Sequence, residues 1–187
     1  KTAKKFIDKG IDSIEKLEKN KSLLNDKQKD GLKFHTDLKK RIPRNEMIKH
    51  EKFVTNLLKD LTCNIVGSYR SGESSSGDID VMCTTENDDI TIFTKILDKL
   101  VKLDYIKKTL THGKKKFMGI CKLPQENTHR RIDIIYCSKV HYGFMMMYFT
   151  GSARFNVDFR NHALSKGYSM NEYGMKKKGE TVHKTHG

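Results

Sequence analysis

The chain has only four cysteines, Cys63, Cys83, Cys121 and Cys137, and they show neither a Cys-x-x-Cys pair nor a histidine-paired zinc spacing. This excludes a zinc-stapled module and leaves reduced, mostly core thiols of an intracellular protein. No apolar signal sequence and no run long enough to span a bilayer occurs, so no membrane partner is expected. No internal repeat and no low-complexity linker breaks the chain. Acid is scarce as well: 23 Asp and Glu stand against 37 Lys and Arg, a formal net charge of +14. That excess points to a polyanionic partner held in a salt-dependent way, although charge alone suits DNA, RNA or an anionic membrane surface equally. The runs Lys39-Lys40-Arg41, Lys114-Lys115-Lys116 and Lys176-Lys177-Lys178 read either as solvated faces or as contacts. A hydrophobic fraction of 36% over 187 residues is adequate for one large globular domain or two small ones. The first residue is Lys1 rather than Met, which suggests a segment of a longer or processed chain.

The most informative stretch runs from Gly67 to Met82. It joins a Gly67-Ser68 turn, able to cradle phosphates, to Gly77-Asp78-Ile79-Asp80, two carboxylates spaced i, i+2 in an apolar strand. Such spacing projects both acids from one face with Cα atoms about 6 to 7 Å apart. A third carboxylate, Asp133, stands between isoleucines in His129-Arg130-Arg131-Ile132-Asp133-Ile134. Three converging carboxylates repel unless cations lie between them, and hard oxygen ligands favour Mg²⁺, with Mn²⁺ as a substitute. With a triphosphate present, two ions about 3.5 to 4 Å apart are expected.

Apolar periodicity predicts helices through the first sixty residues. Asn25 and Gln28 are placed as a capping box, and a further helix runs from Asn45 to Leu61 behind Pro43. Strands are expected near 64–66, 79–84, 105–111, 116–123 and 131–137, with a helix over 90–102 and a hairpin turn at His112-Gly113. Helical patterning returns over 140–167, interrupted at Thr150-Gly151-Ser152.

Taken in order, Arg41-Ile42-Pro43-Arg44, Ser74-Ser75-Ser76-Gly77-Asp78-Ile79-Asp80, Lys116-Phe117-Met118-Gly119, His129-Arg130-Arg131-Ile132-Asp133, Tyr148-Phe149-Thr150-Gly151-Ser152 and Asn171-Glu172-Tyr173 resemble the polymerase core of family X DNA polymerases, a branch of the nucleotidyltransferase superfamily. The resemblance implies an α+β fold. A nucleotidyltransferase palm with a mixed β-sheet at 41–148 would be flanked by an N-terminal helical DNA-binding subdomain at 1–40 and a C-terminal nucleotide-binding helical subdomain at 149–187. It implies template-directed gap filling in DNA repair from dNTPs on a gapped or nicked primer-template, by a monomer. The location would be the nucleus if the source is cellular, and the cytoplasm or a viral factory if it is viral.

By the same resemblance, Asp78 and Asp80 ligate both metals, while Asp133 ligates the catalytic metal and orients the primer 3′-hydroxyl. Ser68, Ser76, Gly77 and Arg41 match triphosphate contacts; a palm salt bridge is the other reading of Arg41. Tyr148, Phe149 and Gly151 match the segment against the sugar, Asn156 and Arg160 reach the minor-groove edge of the nascent pair and template, and Arg131 matches a primer contact. Three positions depart from the family: Ser71 stands where a second arginine is common, Ala153 where an acid is, and Val157 where a lysine is. Template-independent nucleotide addition and a non-catalytic DNA-binding repair module are the competing readings. The short segment from Leu123 to His129 and the retention of all three aspartates weigh against them.

Overall fold

The structure, a computed structural model, describes residues 2–59 and 61–179, which fall into two compact units divided between Lys40 and Arg41. The first unit is helical: α1 (Thr2–Ile7), α2 (Ile14–Lys19), a 3₁₀ turn at Lys21–Leu23 and α3 (Asp26–Leu38). Short polar side chains start these helices. Ser13 Oγ accepts the Lys16 amide at 3.2 Å. Asn25 and Gln28 exchange side-chain-to-amide bonds of 3.0 and 2.9 Å, a complete capping box.

The second unit is built on a five-stranded mixed sheet. In chain order it comprises β1 (Ile42–Pro43), α4 (Arg44–Leu57), β2 (Thr62–Ile65), α5 (Gly67–Arg70), β3 (Ser75–Ser76), β4 (Ile79–Thr84), α6 (Ile90–Lys102), β5 (Ile106–His112), β6 (Lys116–Cys121) and β7 (Arg130–Tyr136). A 3₁₀ turn at Lys139–His141 leads into α7 (Tyr142–Thr150), α8 (Ala153–Ser165) and the hairpin β8 (Tyr168–Asn171) and β9 (Gly174–Lys177). The sheet order is β2-β4-β7-β6-β5, with β4 and β7 parallel and the other neighbours antiparallel.

Period-two alternation assigns the two faces. Ile79, Val81 and Cys83 of β4 and Ile132, Ile134 and Tyr136 of β7 enter the larger core, which α4 and α6 cover with Met47, Val54, Phe93, Leu97 and Leu100. Met82 and Ile135 face the other way and pack with Val66, Cys137 and Met145, on which Tyr142, Met146 and Phe149 of α7 also lie. Asp80 and Asp133 share this second parity.

Local pattern and structure agree for β4 and α6, whose bounds match the expected 79–84 and 90–102. The expected helix over 45–61 instead spans Arg44–Leu57, because the chain must already be extended at Thr62 to pair with Thr84. Asp78 lies just before β4 rather than within it. Ser75 and Ser76, in the serine run expected to make a phosphate-facing turn, form a two-residue ladder with Pro43 and Ile42.

Candidate active site

Parallel pairing of β4 and β7 makes Asp80 and Asp133 direct Cα partners. Asp133 is 7% exposed, and its Oδ1 has no hydrogen-bond partner. Arg131 Nε stands 3.6 Å from that oxygen and Lys116 Nζ 3.8 Å from Oδ2. Burial, and then the neighbouring Asp133 charge, push the Asp80 carboxyl up to about 6, against the opposing pull of Lys116. Asp78 is not gathered in with these two: its carboxylate forms an ion pair with the Arg131 guanidinium. Among the described residues no group of three or more His, Cys, Asp or Glu is arranged as a metal cage.

The donor chemistry nevertheless fits a hard cation. Two adjacent carboxylates, the buried Asp133 with an orphan oxygen and the partly buried Asp80 whose proton affinity is raised, form a site that added positive charge would stabilise. Arg131 and Lys116 supply that charge in this structure.

The turn under the carboxylates is equally constrained. Gly67 adopts φ +62°, and a Cβ there would collide with Asp80 Oδ2. Val66 N–H donates to the Asp80 carbonyl at 2.8 Å, so the turn is registered to β4 just before it leaves the sheet. Ser68 is half-buried on α5, and its carbonyl accepts the Ser71 hydroxyl at 3.0 Å and the Glu73 amide at 3.1 Å. Ser76 is 1% exposed with an unpartnered Oγ, and Gly77 is exposed beside it. Arg41 does not form the salt bridge considered for it. Its Nε donates to Ser75 Oγ at 2.7 Å and its Nη2 to the Ser75 carbonyl at 2.5 Å.

Arg44, seen in the sequence only as the end of Arg41-Ile42-Pro43-Arg44, and Tyr69 take roles here that the sequence did not assign. Arg44 Nη1 donates at 3.0 Å to both the Tyr69 and Glu73 carbonyls, and its guanidinium lies 4.7 Å from the Tyr69 ring centroid, closing the loop from α5 to β3. Tyr69 is held in turn by Glu51, whose Oε2 accepts its hydroxyl at 2.6 Å. Lys116 was visible in a lysine run and at the head of the segment Lys116-Phe117-Met118-Gly119, with no role assigned to it. Its place on β6, antiparallel to β7, is what brings it to Asp133.

The α7–α8 turn gathers a second group. Asn156 Nδ2 donates to the Tyr148 carbonyl at 2.8 Å and the Gly151 carbonyl at 3.3 Å. The Arg160 guanidinium lies 5.3 Å from the Tyr148 ring centroid, and its Nε is buried without a partner. Ser152 Oγ caps α8 by accepting the Phe155 amide at 3.1 Å. Phe149 joins the cluster of Met82 and Ile135, the residues two along from Asp80 and Asp133 on the same face.

A mixed sheet that sets two aspartates abreast on its parallel strand pair, with a Gly-Ser turn pressed against one of them, is a nucleotidyltransferase-type palm. Sequence comparison narrows the class. A family model described as DNA polymerase beta palm matches residues 41–139, DNA polymerase beta thumb matches 145–186, and the fingers domain of DNA polymerase lambda matches 1–39. DNA polymerase lambda of Rattus norvegicus is 32% identical over 187 residues, covering 94% of this chain and 32% of its own length. DNA polymerase lambda of Arabidopsis thaliana is 32% identical over 190 residues, covering 93% of this chain and 36% of its own. The chain belongs to the family X, DNA polymerase beta-type proteins, and spans about a third of the length of the curated relatives it matches.

Proposed function

We propose that this chain is the polymerase core of a DNA repair enzyme that fills short gaps, transferring nucleotides from dNTPs to a primer 3′-hydroxyl under template direction. The observation that carries the reading is the pairing of Asp80 with Asp133 across parallel strands, with an orphan carboxylate oxygen on Asp133. Asp78, Asp80 and Asp133 would hold two magnesium ions, which when bound activate the attacking hydroxyl and neutralise the leaving pyrophosphate. The rest falls to the chain's own groups. Asp133 aligns the primer hydroxyl and accepts its proton at the free oxygen. Arg131 leaves Asp78 for a primer phosphate. The buried Ser76 hydroxyl, the Ser68 hydroxyl, the Gly77 amide and Arg41 bind triphosphate oxygens, where neutral donors and a guanidinium suit anionic acceptors. Tyr148, Phe149 and Gly151 wall the sugar, and Asn156 and Arg160 face the nascent pair and template. Positioning and charge suffice for phosphoryl chemistry of this kind.

In this reading residues 1–40 grip duplex DNA, 41–148 form the catalytic palm and 149–187 close over the nucleotide; residues 180–187 lie outside the described region. The enzyme acts as a monomer inside the cell, in the nucleus of a cellular source. Among the described residues no helix is long and apolar enough to cross a membrane.

Asp133→Asn tests the reading on one-nucleotide-gapped DNA with Mg²⁺. Incorporation should fall by roughly a thousandfold once the ligand charge is gone. The Kd for the DNA, measured alongside, should stay within about twofold, because one neutralised acid barely alters a +14 surface. Synthesis at more than a few hundredths of the parent rate would remove Asp133 from the chemistry.

A further inference from the structure

Cys63 of β2 and Cys83 of β4 are Cα partners across the antiparallel pair, and backbone bonds on either side reveal what kind of pair they are. The Asp80 carbonyl accepts from Val66 N–H at 2.8 Å, so Asp80, and with it Met82 two residues on, turns its polar backbone toward β2. The Cys83 carbonyl accepts from Cys137 N–H at 2.9 Å, on the β7 side. Cys63 and Cys83 are therefore a non-hydrogen-bonded pair, the arrangement in which facing Cα atoms approach to about 4.5 Å and side chains lie closest. That spacing falls within the range of roughly 4.4 to 6.8 Å that a disulfide spans. Both cysteines are free thiols here. A hydrogen bond that the Cys83 thiol donates to the Cys63 sulfur, together with burial, raises the Cys83 pKa well above its ordinary value. Cys63 is partly buried against the larger core on the edge strand of the sheet, whereas Cys83 is fully buried in that core on the next strand.

We propose that Cys63 and Cys83 form an oxidation site at which a hydroperoxide converts the two thiols into a cross-strand disulfide. The sulfur of Cys63, the less buried of the two residues, attacks one peroxide oxygen; the O–O bond breaks, a sulfenic acid forms on Cys63, and the other oxygen leaves protonated. The Cys83 sulfur then attacks the Cys63 sulfur, the S–O bond breaks, and hydroxide departs with the Cys83 proton as water. Two thiols and one hydrogen peroxide become one disulfide and two waters. The sulfurs give up two electrons and the peroxide takes them. The remaining cysteines are poorly placed to compete: Cys137 packs in the cluster on the opposite face, and Cys121 lies on β6, separated from β4 by β7. The bond would tie β2 to the strand that carries Asp80, in the register that brings Gly67 against it.

Trypsin separates the two sites, placing Cys63 in residues 60–70 and Cys83 in residues 71–95. The native chain is treated with hydrogen peroxide, its remaining thiols are alkylated in denaturant, and unreduced peptides are weighed. The expected product joins these two peptides, is lighter by two hydrogens than their sum, disappears on reduction, and leaves Cys121 and Cys137 alkylated. Cys63→Ser, a partly buried and nearly isosteric change whose fold circular dichroism verifies, should lose the cross-link entirely. Oxidation in denaturant should show no such preference. Peroxide that takes Cys63 to its sulfinic acid while Cys83 remains alkylated, a link to Cys137, or no native cross-link at all would each overturn the site.

Discussion

Gly67 shows how narrowly a single residue can be specified. Its φ of +62° lies in the left-handed region, and the space a side chain would need is taken by Asp80 Oδ2. Alanine therefore meets two penalties at once, backbone strain and a clash with a carboxylate that cannot retreat into the packed sheet. For Gly67→Ala we expect a loss of about 1 to 3 kcal/mol in denaturant unfolding. Nucleotide incorporation should fall much further, because the atom displaced belongs to the proposed ligand set. A variant with parental stability and parental synthesis would show that the turn yields and that Asp80 does not need its present place.

At the scale of elements, α4 is joined to the sheet by a buried polar chain. Tyr105 Oη lies 2.8 Å from His50 Nδ1, and His50 Nε2 lies 3.6 Å from Glu46 Oε1. Glu46 in turn takes two bonds from Arg130, from Nε at 2.7 Å and from Nη2 at 2.6 Å. Arg130 Nη1 reaches the Arg41 carbonyl at 3.4 Å. Arg130 lies on the opposite strand parity from Asp133, and its bond to the Arg41 carbonyl ties β7 to the residue that precedes β1. Removing one partner leaves a buried charge alone. Arg130→Met should cost about 3 to 5 kcal/mol, and Glu46→Met with Arg130→Met should recover most of it. Chemical denaturation of the parent, Arg130→Met, Glu46→Met and the double variant, read as a double-mutant cycle, checks this; additive losses would show the pair to be unimportant.

The same chain predicts a pH response. Burial pushes His50 down to about 4 from 6.5, despite the favourable charges of Glu46 and Glu126 and with Arg130 opposing protonation. Below pH 6.5 the unfolded chain takes up a proton that the folded chain refuses until about 4. Stability is therefore intact above that window and is lost as pH falls through it, by about 3 kcal/mol at most from this group. His50→Gln should flatten the unfolding free energy between those limits. An unchanged slope in the variant would assign the acid sensitivity elsewhere.

Over the whole molecule the governing quantity is charge. An excess of +14 in 187 residues would make the proposed association with DNA chiefly a matter of counterion release. With six or more phosphates engaged, fluorescence anisotropy on gapped DNA should show affinity falling by roughly a thousandfold or more between about 50 and 200 mM salt. A log–log slope shallower than about −2 would mean that the basic runs are solvated faces and that few phosphates are touched.

Where the determinants are local, they were legible in the chain itself. Asn25 and Gln28 lie three residues apart, so the capping box needs only its own turn. The apolar spacing of Ile90–Lys102 and the alternation of Ile79–Thr84 depend on neighbours within one element. The acids around Gly77 could be read as a site because burying charge in an apolar strand has few other uses. Tertiary structure decided what distant segments do to one another. Pairing between β4 and β7 set Asp80 beside Asp133, β6 carried Lys116 to Asp133, and Arg131 came to stand between Asp78 and Asp133. Arg130 met Glu46 across 84 residues, and Cys63 met Cys83 only through the register of β2 on β4. A side chain's own neighbours in sequence limit its backbone and its face, but which charge, thiol or carbonyl it meets depends on strand order and register, and these are settled by the packing of the whole core.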